Sequence, residues 1–368
     1  MLGIEELLKP GSRSAKSLII TFAIAMLAVL AMPGKSQADP DGTDPFFGVV
    51  SQRHLTDDDF DTMKWGRLGS FRLPIDWGTV EKEADGRMDW KPVDRVVRAT
   101  AERGIDFMPT FYGSPRSLNE NWRTLPVKNK FQIRKWKQFL TRAALRYGTD
   151  GTFWDTHPDV EYRPVHSWQV WNEPNINTFS RPVSPRNYAT LLRVSAKALT
   201  NADPEAKIVL AGLYGTPPKG KGIDAGPFLN RLYRFRQTKR SFDIAAVHPY
   251  ATNSRQALQR TRPVVRSMNR HRDRKTRLTI TELGWGSDSA TAFGTGSVDA
   301  QGKVLRNAYQ LFLKNRKRLR LDSIYWFSWS DMPPEQSVCA FCQETGFFDV
   351  NNEPKPAWFE MLNFSHDL

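Results

Sequence analysis

The sequence predicts an α/β protein built as a single (β/α)8 barrel, the TIM-barrel fold. Eight short apolar segments, each bounded by turn residues, have the composition of strands buried on both faces of a sheet. They are Phe46–Val50, Leu68–Leu73, Asp106–Phe111, His166–Asn172, Ile208–Leu213, Ile244–His248, Leu278–Glu282 and Ser323–Ser328. Amphipathic helical stretches separate them, and strict β-α alternation is typical of a parallel sheet. Eight such units close into a barrel. The alternative, a doubly wound open sheet, is disfavoured because no glycine-rich phosphate turn follows the first strand.

Several of the intervening helices have recognisable start signals. Thr56 precedes three aspartates, which form a favourable first turn next to the positive end of a helix dipole. The Ser184-Pro185 pair combines an N-cap with proline at the first helical position, so we expect a helix to begin there. Apolar residues at helical spacing predict two longer helices, from about Lys130 to Tyr147 and from about Ala300 to Arg318.

Composition excludes several classes of protein. The chain has 368 residues, of which 40% are hydrophobic and 25% charged, so it is neither disordered nor collagen-like. Its 53 basic and 39 acidic residues give a net charge of +14. The basic residues cluster in 231–240, 255–277 and 314–320, which we expect at the carboxyl ends of helices on the rim opposite the active-site mouth. This positive charge suggests the hypothesis that the protein contacts an anionic cell envelope. Nucleic acid is not expected as a partner, since no recognition motif for it is present.

Residues 1–38 are predicted to be a secretory signal segment, which leaves 39–368 as the barrel domain. Basic residues precede an apolar run from Leu18 to Met32, and the small residues Ser36 and Ala38 stand before a suitable cleavage point. The apolar run is shorter than the roughly 20 residues that span a bilayer comfortably. An uncleaved membrane anchor is the alternative interpretation. In both cases we expect an extracytoplasmic protein.

The two cysteines and the histidines bear on metal and redox chemistry. Cys339 and Cys342 are separated by two residues near the carboxyl end, and in an exported protein a small disulfide is expected rather than a redox or zinc site. Only six histidines occur and only His248 ends a strand, so a metal-dependent barrel hydrolase is not expected. We therefore expect neither a metal nor an organic cofactor.

Polar and aromatic side chains stand at the carboxyl ends of the predicted strands, where a barrel of this kind has its active site. They are Arg72, Tyr112, Asn172, Glu173, His248, Tyr250, Glu282, Trp326 and Trp329. Glu173 and Glu282 end the fourth and seventh strands, whose ends can face each other across the barrel mouth. Two carboxyl groups about 5–5.5 Å apart carry out retaining glycoside hydrolysis, one as acid/base and the other as nucleophile.

The Trp-Asn-Glu-Pro sequence at Glu173 and the Thr-Glu-Leu-Gly-Trp sequence at Glu282 resemble the corresponding strand ends of clan A glycoside hydrolases, which are TIM-barrel enzymes such as the family 5 and family 39 members. The resemblance extends over residues 46–364. It implies a retaining hydrolase of O-glycosidic bonds, with a β-linked sugar or an α-L-arabinofuranoside as substrate. It also implies that Glu173 is the acid/base and Glu282 the nucleophile, that Asn172 bonds the sugar 2-hydroxyl and that Arg72 stabilises the nucleophile.

Further roles follow from the same resemblance. His248 and Tyr250 match a His-x-Tyr element in which the tyrosine bonds to the nucleophile, although His248 is open to interpretation as a core histidine beneath the pocket. A tryptophan at the end of the eighth strand usually lies under the reacting sugar. Trp326 is our expectation for this place, because alternation points Trp326 and Trp329 to opposite faces. Tyr112 is expected either to line the subsites or to pack in the core.

The main alternative from another functional class is a barrel that binds carbohydrate or a cell-wall polyanion without catalysis. The presence of both glutamates together with Asn172, Arg72 and Tyr250 argues against it. We expect the protein to act as a monomer on a carbohydrate substrate.

Overall fold

Eight parallel strand positions close into a barrel in the computed structural model, which describes residues 42–288, 290–337 and 339–367. The strands are β1 (Asp44–Val50), β2 (Leu68–Asp76), β3 (Asp106–Tyr112), β4 (Ser167–Val170), β5 in two segments (Lys207–Leu210 and Leu213–Tyr214), β6 (Ile244–His248), β7 (Arg277–Leu283) and β8 (Leu321–Phe327). Each strand pairs in parallel with its successor, and β8 pairs with β1 to close the ring. The predicted (β/α)8 barrel is confirmed. The predicted signal segment, residues 1–38, lies outside the described residues.

Helices connect the strands. They are α1 (Asp57–Trp65), α2 (Trp77–Val80), α3 (Lys91–Ala101), α4 (Lys130–Tyr147), α5 (Thr152–Thr156), α6 (Pro185–Ala202), α7 (Ala225–Leu232), α8 (Ser254–Arg270), α9 (Val298–Leu319) and α10 (Pro356–Asp367). The start signals act as predicted: Thr56 and Asp59 form a reciprocal capping box, and the Ser184 hydroxyl accepts the amide of Asn187. Helix α4 has the predicted bounds, and α9 begins two residues before Ala300 because Ser297 caps it.

Alternation along the strands divides the core into two parts. One lies between the sheet and the helices and includes Trp326 on β8, whereas the other fills the barrel interior and includes its neighbours Tyr325 and Phe327. Glycine at position 48 of β1 makes room for this interior layer, since a Cβ there would lie 2.5 Å from the ring of Tyr325. The filled interior leaves the carboxyl ends of the strands as the place for a site.

The loop between β8 and α10 contains the disulfide expected from the sequence. Cys339 and Cys342 are bonded and enclose the start of a 3-10 helix, Ala340–Glu344. None of the described helices is long and apolar enough to cross a membrane.

The basic stretches are distributed differently from the prediction in one respect. Residues 231–240 and 314–320 cover the carboxyl ends of α7 and α9 and the turns after them, as expected. The stretch 255–277 instead runs along the whole of α8, because that helix begins at Ser254. Its cations therefore extend from one rim of the barrel to the other.

Candidate active site

The Arg72 guanidinium lies at the centre of a hydrogen-bond network at the barrel mouth. Arg72 lies on β2 and is fully buried. Its Nη1 donates to Oε1 of Glu282, at the end of β7, at 2.7 Å. It also donates from Nε to Gln169 at 2.6 Å and from Nη2 to Oδ1 of Asn172 at 2.9 Å. One side chain thus connects β2, β4 and β7. The amide nitrogen of Asn172 forms no hydrogen bond within the described part of the chain and remains able to donate to a ligand.

Tyr250 completes the environment of Glu282. Its hydroxyl donates to Oε2 at 2.7 Å, so each carboxylate oxygen of Glu282 accepts a strong hydrogen bond, one from a cation and one from a phenol. Burial and the charge of Glu282 hold the pKa of Tyr250 well above its usual value, which keeps this phenol a neutral donor. The pair fixes the position of the Glu282 carboxylate without protonating it.

Both glutamates approach Nδ1 of His248, Glu173 at 2.7 Å and Glu282 at 3.4 Å. The His248 ring is fully buried, with Nδ1 2.7 Å from Oε1 of Glu173 and Nε2 2.8 Å from the hydroxyl of Thr281. Gly212 is needed for this arrangement, since a Cβ there would lie 1.8 Å from Nε2 of the ring. His248 is therefore a buried residue, and it contacts the site directly.

The two glutamate carboxylates share one small space. Oxygen atoms of Glu173 and Glu282 and a ring nitrogen of His248 all lie within 4.8 Å of one another. Oxygen atoms less than 4.8 Å apart agree with the carboxyl separation of about 5–5.5 Å in retaining glycosidases. The sequence-predicted residues Arg72, Asn172, Glu173, His248, Tyr250 and Glu282 are thus brought together.

The backbone that presents Glu173 has unusual conformations. Trp171 and Glu173 have φ angles of 71° and 40°, in the left-handed region that non-glycine residues rarely adopt. Trp171 is held there by an indole hydrogen bond to the carbonyl of Phe179 at 2.8 Å, and the amide of Glu173 bonds to the carbonyl of Gly212 at 3.2 Å. Such strained residues cluster at functional sites, where the surrounding structure fixes them.

The environments of the two carboxyl groups separate their pKa values. Burial raises the pKa of Glu173, and its hydrogen bond to His248 only partly offsets this. Burial also acts to raise the pKa of Glu282, but His248, Arg72 and Tyr250 together bring it below its usual value. A protonated acid next to an ionised carboxylate is the combination that acid/base and nucleophile roles require.

The same side chains include types that bind metal ions. Glu173, His248 and Glu282 each offer a suitable atom. However, Arg72 and Tyr250 already bond to the two oxygens of Glu282, and the guanidinium charge repels a cation. The donor set therefore fits proton transfer better than metal binding.

Neither tryptophan proposed for the sugar platform reaches the site. Trp326 is fully buried on the outer face of β8, where its indole donates to the carbonyl of Thr345 at 3.0 Å and its ring stacks on Phe347. Trp329 is also buried, donates to Asp59 at 2.8 Å and packs against Trp358. The expectation is corrected for both residues, because the phase of alternation on β8 places Phe327 in the barrel interior.

Phe327, Tyr112 and Tyr214 are aromatic residues at strand ends near the mouth, and the Tyr214 ring lies 5.9 Å from that of Tyr250. The Phe327 ring lies edge-on to Tyr250, with centroids 6.1 Å apart, one residue after the predicted Trp326. Tyr325, two residues earlier, faces the same interior, but the sequence does not show which of the two alternating sets of side chains on β8 does so. Tyr112 packs edge-on against Trp122 and Phe179, and it forms no hydrogen bond with either glutamate within the described residues.

Comparisons with known proteins by sequence give no match, either to a protein-family model or to a curated protein. Comparisons of the fold do. A family 39 glycoside hydrolase from the gut symbiont Bacteroides cellulosilyticus WH2 superposes with a TM-score of 0.65 at 16% identity, over 90% of this chain and 65% of that one. A monomeric β-xylosidase from Caulobacter crescentus CB15 gives 0.60 at 16% identity, over 88% and 68% of the two chains.

The chain has the fold of glycoside hydrolase barrels. Xylanase B from Clostridium stercorarium F9 extends the set, with a TM-score of 0.57 at 16% identity over 88% of this chain and 97% of that one. The resemblance to clan A that the strand-end motifs predict is thereby confirmed at the level of the fold. Because the chain spans 65% of the family 39 enzyme's length, that enzyme also contains parts that have no counterpart here.

Proposed function

We propose that the chain is a retaining glycoside hydrolase that cleaves an O-glycosidic bond by double displacement. The observation that carries this proposal is the pair of buried carboxylates, Glu173 and Glu282, with oxygens within 4.8 Å of each other and pKa values shifted in opposite directions. A raised and a lowered pKa side by side are what acid and nucleophile need.

In the first step, a carboxylate oxygen of Glu282 attacks the anomeric carbon while the bond from that carbon to the departing oxygen breaks. Glu173 transfers its proton to the departing oxygen and becomes a carboxylate. The Arg72 and Tyr250 hydrogen bonds orient Glu282 and keep it ionised before attack. The free amide of Asn172 is placed to donate to a hydroxyl of the same sugar.

In the second step, the Glu173 carboxylate takes a proton from water, and the water oxygen attacks the anomeric carbon. The ester bond to Glu282 breaks, which returns both carboxyl groups to their starting protonation states and retains the configuration of the sugar. The buried His248, bonded to Glu173 at 2.7 Å, holds that carboxyl group in one orientation through both steps. We assign His248 as a positioning residue.

The experiment is a hydrolysis panel of β-linked polysaccharides and of 4-nitrophenyl glycosides of β-D-xylose, β-D-glucose, β-D-mannose and α-L-arabinofuranose. The wild-type protein should release identifiable products from at least one of them. Glu282→Gln should abolish release from every substrate, and Glu173→Gln should abolish release from the polysaccharides, whose leaving groups need a proton, whereas the matched surface variant Glu161→Gln should change neither. A wild-type protein that binds a sugar and cleaves nothing would favour the non-catalytic carbohydrate-binding barrel.

We also propose that the protein is exported by its amino-terminal segment. The support is the sequence pattern of residues 1–38. Expression with and without this segment, followed by fractionation, tests the proposal. Full-length protein should reach the extracytoplasmic fraction and the truncated protein should not; equal distribution would contradict export.

A contact with anionic polymers is supported by a basic groove along α4 and α6. Two depressions of about 820 and 670 Å³ share Lys137. Their basic side chains are Lys130, Arg134, Lys135, Lys137, Arg142, Arg193, Lys197, Lys207 and Arg240. None of these forms a salt bridge with a described residue. Glu81, Asp85 and Asp243 also line the depressions, so nine cations outnumber three carboxylates, and a concave basic surface of this kind suits a linear polyanion better than a flat bilayer.

Retention on immobilised polygalacturonate tests this contact. Replacing Lys137, Arg193 and Lys197 with Gln should lower the salt concentration that elutes the protein. The same change at Lys64, Lys91 and Lys219, which are exposed and lie outside both depressions and outside the basic stretches, removes equal charge and should have a smaller effect. Equal effects would mean that the basic surface acts only through net charge.

A further inference from the structure

An aromatic wall, which we define as Phe293, Phe327 and Phe341, surrounds the ring of Tyr250. Phe293 stacks on Tyr250 with centroids 5.8 Å apart and planes 19° apart, whereas Phe341 lies edge-on to it at 5.1 Å. Phe341 is also edge-on to Phe293 at 5.3 Å and parallel to Phe327 at 6.2 Å. The three phenyl rings come from three separate segments of the chain, and Phe341 contacts the other two.

The wall lies one ring away from the proposed nucleophile. Tyr250 is the link, since its hydroxyl bonds to Glu282 at 2.7 Å while its ring contacts the wall. Tyr250 and Phe327 are buried, with 5% and 8% of their surface exposed, but Phe293 and Phe341 are only half-buried. Rings that served only the core would be covered, so these two rings keep apolar surface accessible while they pack against Tyr250.

The segment that carries Phe341 is fixed at both ends. The disulfide from Cys339 to Cys342 closes it at the start, and Gln52 at the end of β1 donates to the carbonyl of Cys342 at 3.1 Å. At the other end, the carbonyl of Glu344 accepts from Gln301 at 3.1 Å and from Lys355 at 3.2 Å. Phe341 follows the first cysteine by two residues, so the disulfide limits its freedom most directly.

The chemistry of the two sides of the site is different. Arg72, Asn172 and the glutamates supply charged and hydrogen-bonding groups, whereas the aromatic wall offers carbon only. A sugar ring has the same division, with hydroxyl groups at its edge and C–H groups across its face. Aromatic rings cover such a C–H face at little cost in hydration.

We propose that Phe341, held by the Cys339–Cys342 disulfide and supported by Phe293, is a sugar-binding residue of the subsite that contains Glu282. Its ring contacts the C–H face of the sugar that Glu282 attacks. Phe341 thereby has the sugar-platform role that was predicted for a tryptophan at the end of β8. This proposal rests on the hydrolase function proposed above, and it assigns the disulfide loop a part in substrate binding.

The test compares kcat and KM on the 4-nitrophenyl glycoside that the wild-type protein cleaves fastest. Phe341→Ala should raise KM about five- to tenfold, the equivalent of one aromatic contact, with kcat changed by less than about twofold. Phe341→Trp keeps a flat aromatic face and should therefore have the wild-type KM. The Cys339→Ser/Cys342→Ser double variant should raise KM in the same direction. Phe131→Ala, an exposed phenylalanine on α4, should leave KM unchanged.

Other outcomes overturn the proposal in distinguishable ways. An unchanged KM in Phe341→Ala excludes the contact with sugar. A lower kcat, with an acidic limb of the pH profile moved upward, would mean that Phe341 only supports Tyr250 and Glu282. If Phe341→Ala does not fold, Phe341→Leu keeps the apolar volume without a flat face and should show the same rise in KM. If the wild-type protein cleaves no substrate, the proposed hydrolase function itself is contradicted, and no variant needs to be compared.

Discussion

Arg72 and Glu282 form a buried ion pair across the barrel mouth, 2.7 Å apart although 210 positions separate them in the sequence. Removing two charges from water is costly, and the cost is offset only when hydrogen bonds satisfy the remaining groups. Arg72 meets this condition by also bonding to Gln169 and Asn172. The pair thereby sets both the position and the ionisation of the carboxylate that is proposed to attack the sugar.

Replacing Arg72 should therefore change the pH dependence of the reaction. In Arg72→Gln the pKa of Glu282 rises, because a nearby positive charge is lost, so a smaller fraction is ionised at any acidic pH. The acidic limb of the profile of kcat/KM against pH should move to higher pH. The free energy of unfolding should fall by about 3–5 kcal/mol, since a buried carboxylate is left without its partner.

The control is Arg98→Gln, which removes a surface pair with Asp159 and should leave the pH profile in place. An acidic limb that does not move in Arg72→Gln would contradict the electrostatic role of this arginine. Chemical denaturation measures the stability change independently of activity.

The wild-type protein should show a bell-shaped profile with widely separated limbs. The nucleophile must be ionised, so activity rises with pH through the lowered pKa of Glu282; the acid must be protonated, so activity falls through the raised pKa of Glu173. The acidic limb should thus lie below, and the basic limb above, the ordinary glutamate range. Glu173→Gln, assayed on a substrate with an activated leaving group, should lose the basic limb, and its persistence would exclude Glu173 as the acid.

Removing the Tyr250 hydroxyl should reduce the rate and preserve the fold. Tyr250→Phe deletes the hydrogen bond to Oε2 of Glu282 but keeps the ring in contact with its neighbours. A charge-assisted hydrogen bond contributes about 1.5–3 kcal/mol, so kcat/KM should fall about 10- to 150-fold. Steady-state kinetics measures the loss. The matched variant Tyr162→Phe, at an exposed phenol, should retain full activity, and equal losses in the two would contradict the assignment.

The tryptophan and the phenylalanine at the end of β8 should respond differently to substitution. Trp326→Phe removes an indole hydrogen bond to Thr345 in the outer core, so the melting temperature should drop while KM stays constant. Phe327→Leu changes the barrel interior beside Tyr250 and should raise KM. A rise in KM for Trp326→Phe alone would restore Trp326 as the sugar platform.

Local signals in the sequence were sufficient for the frame of the barrel. The cap at Thr56 and the Ser184-Pro185 pair define helix starts, and the strand ends at Glu173 and Glu282 follow from apolar runs that meet turn residues. In a closed parallel barrel these strand ends share one rim, so the topology alone brings the two glutamates to the same opening.

The remaining features depend on information that a single sequence does not contain. Trp326 and Phe327 are adjacent aromatic residues, and a one-residue difference in phase exchanges the outer core for the barrel interior. The interruption of β5 after Leu210 is likewise invisible in a continuous apolar run. Phe341 lies in a loop, where the disulfide and long-range contacts decide its position.

Covalent trapping tests the central assignment most directly. A 2-deoxy-2-fluoroglycosyl fluoride of the sugar that the protein cleaves slows the breakdown of a glycosyl-enzyme more than its formation, so the intermediate accumulates. Mass spectrometry should detect a single added fluorosugar on the intact chain, and peptide mapping should locate it on the side chain of Glu282. A label on any other residue, or turnover with no label at all, would contradict the double-displacement account.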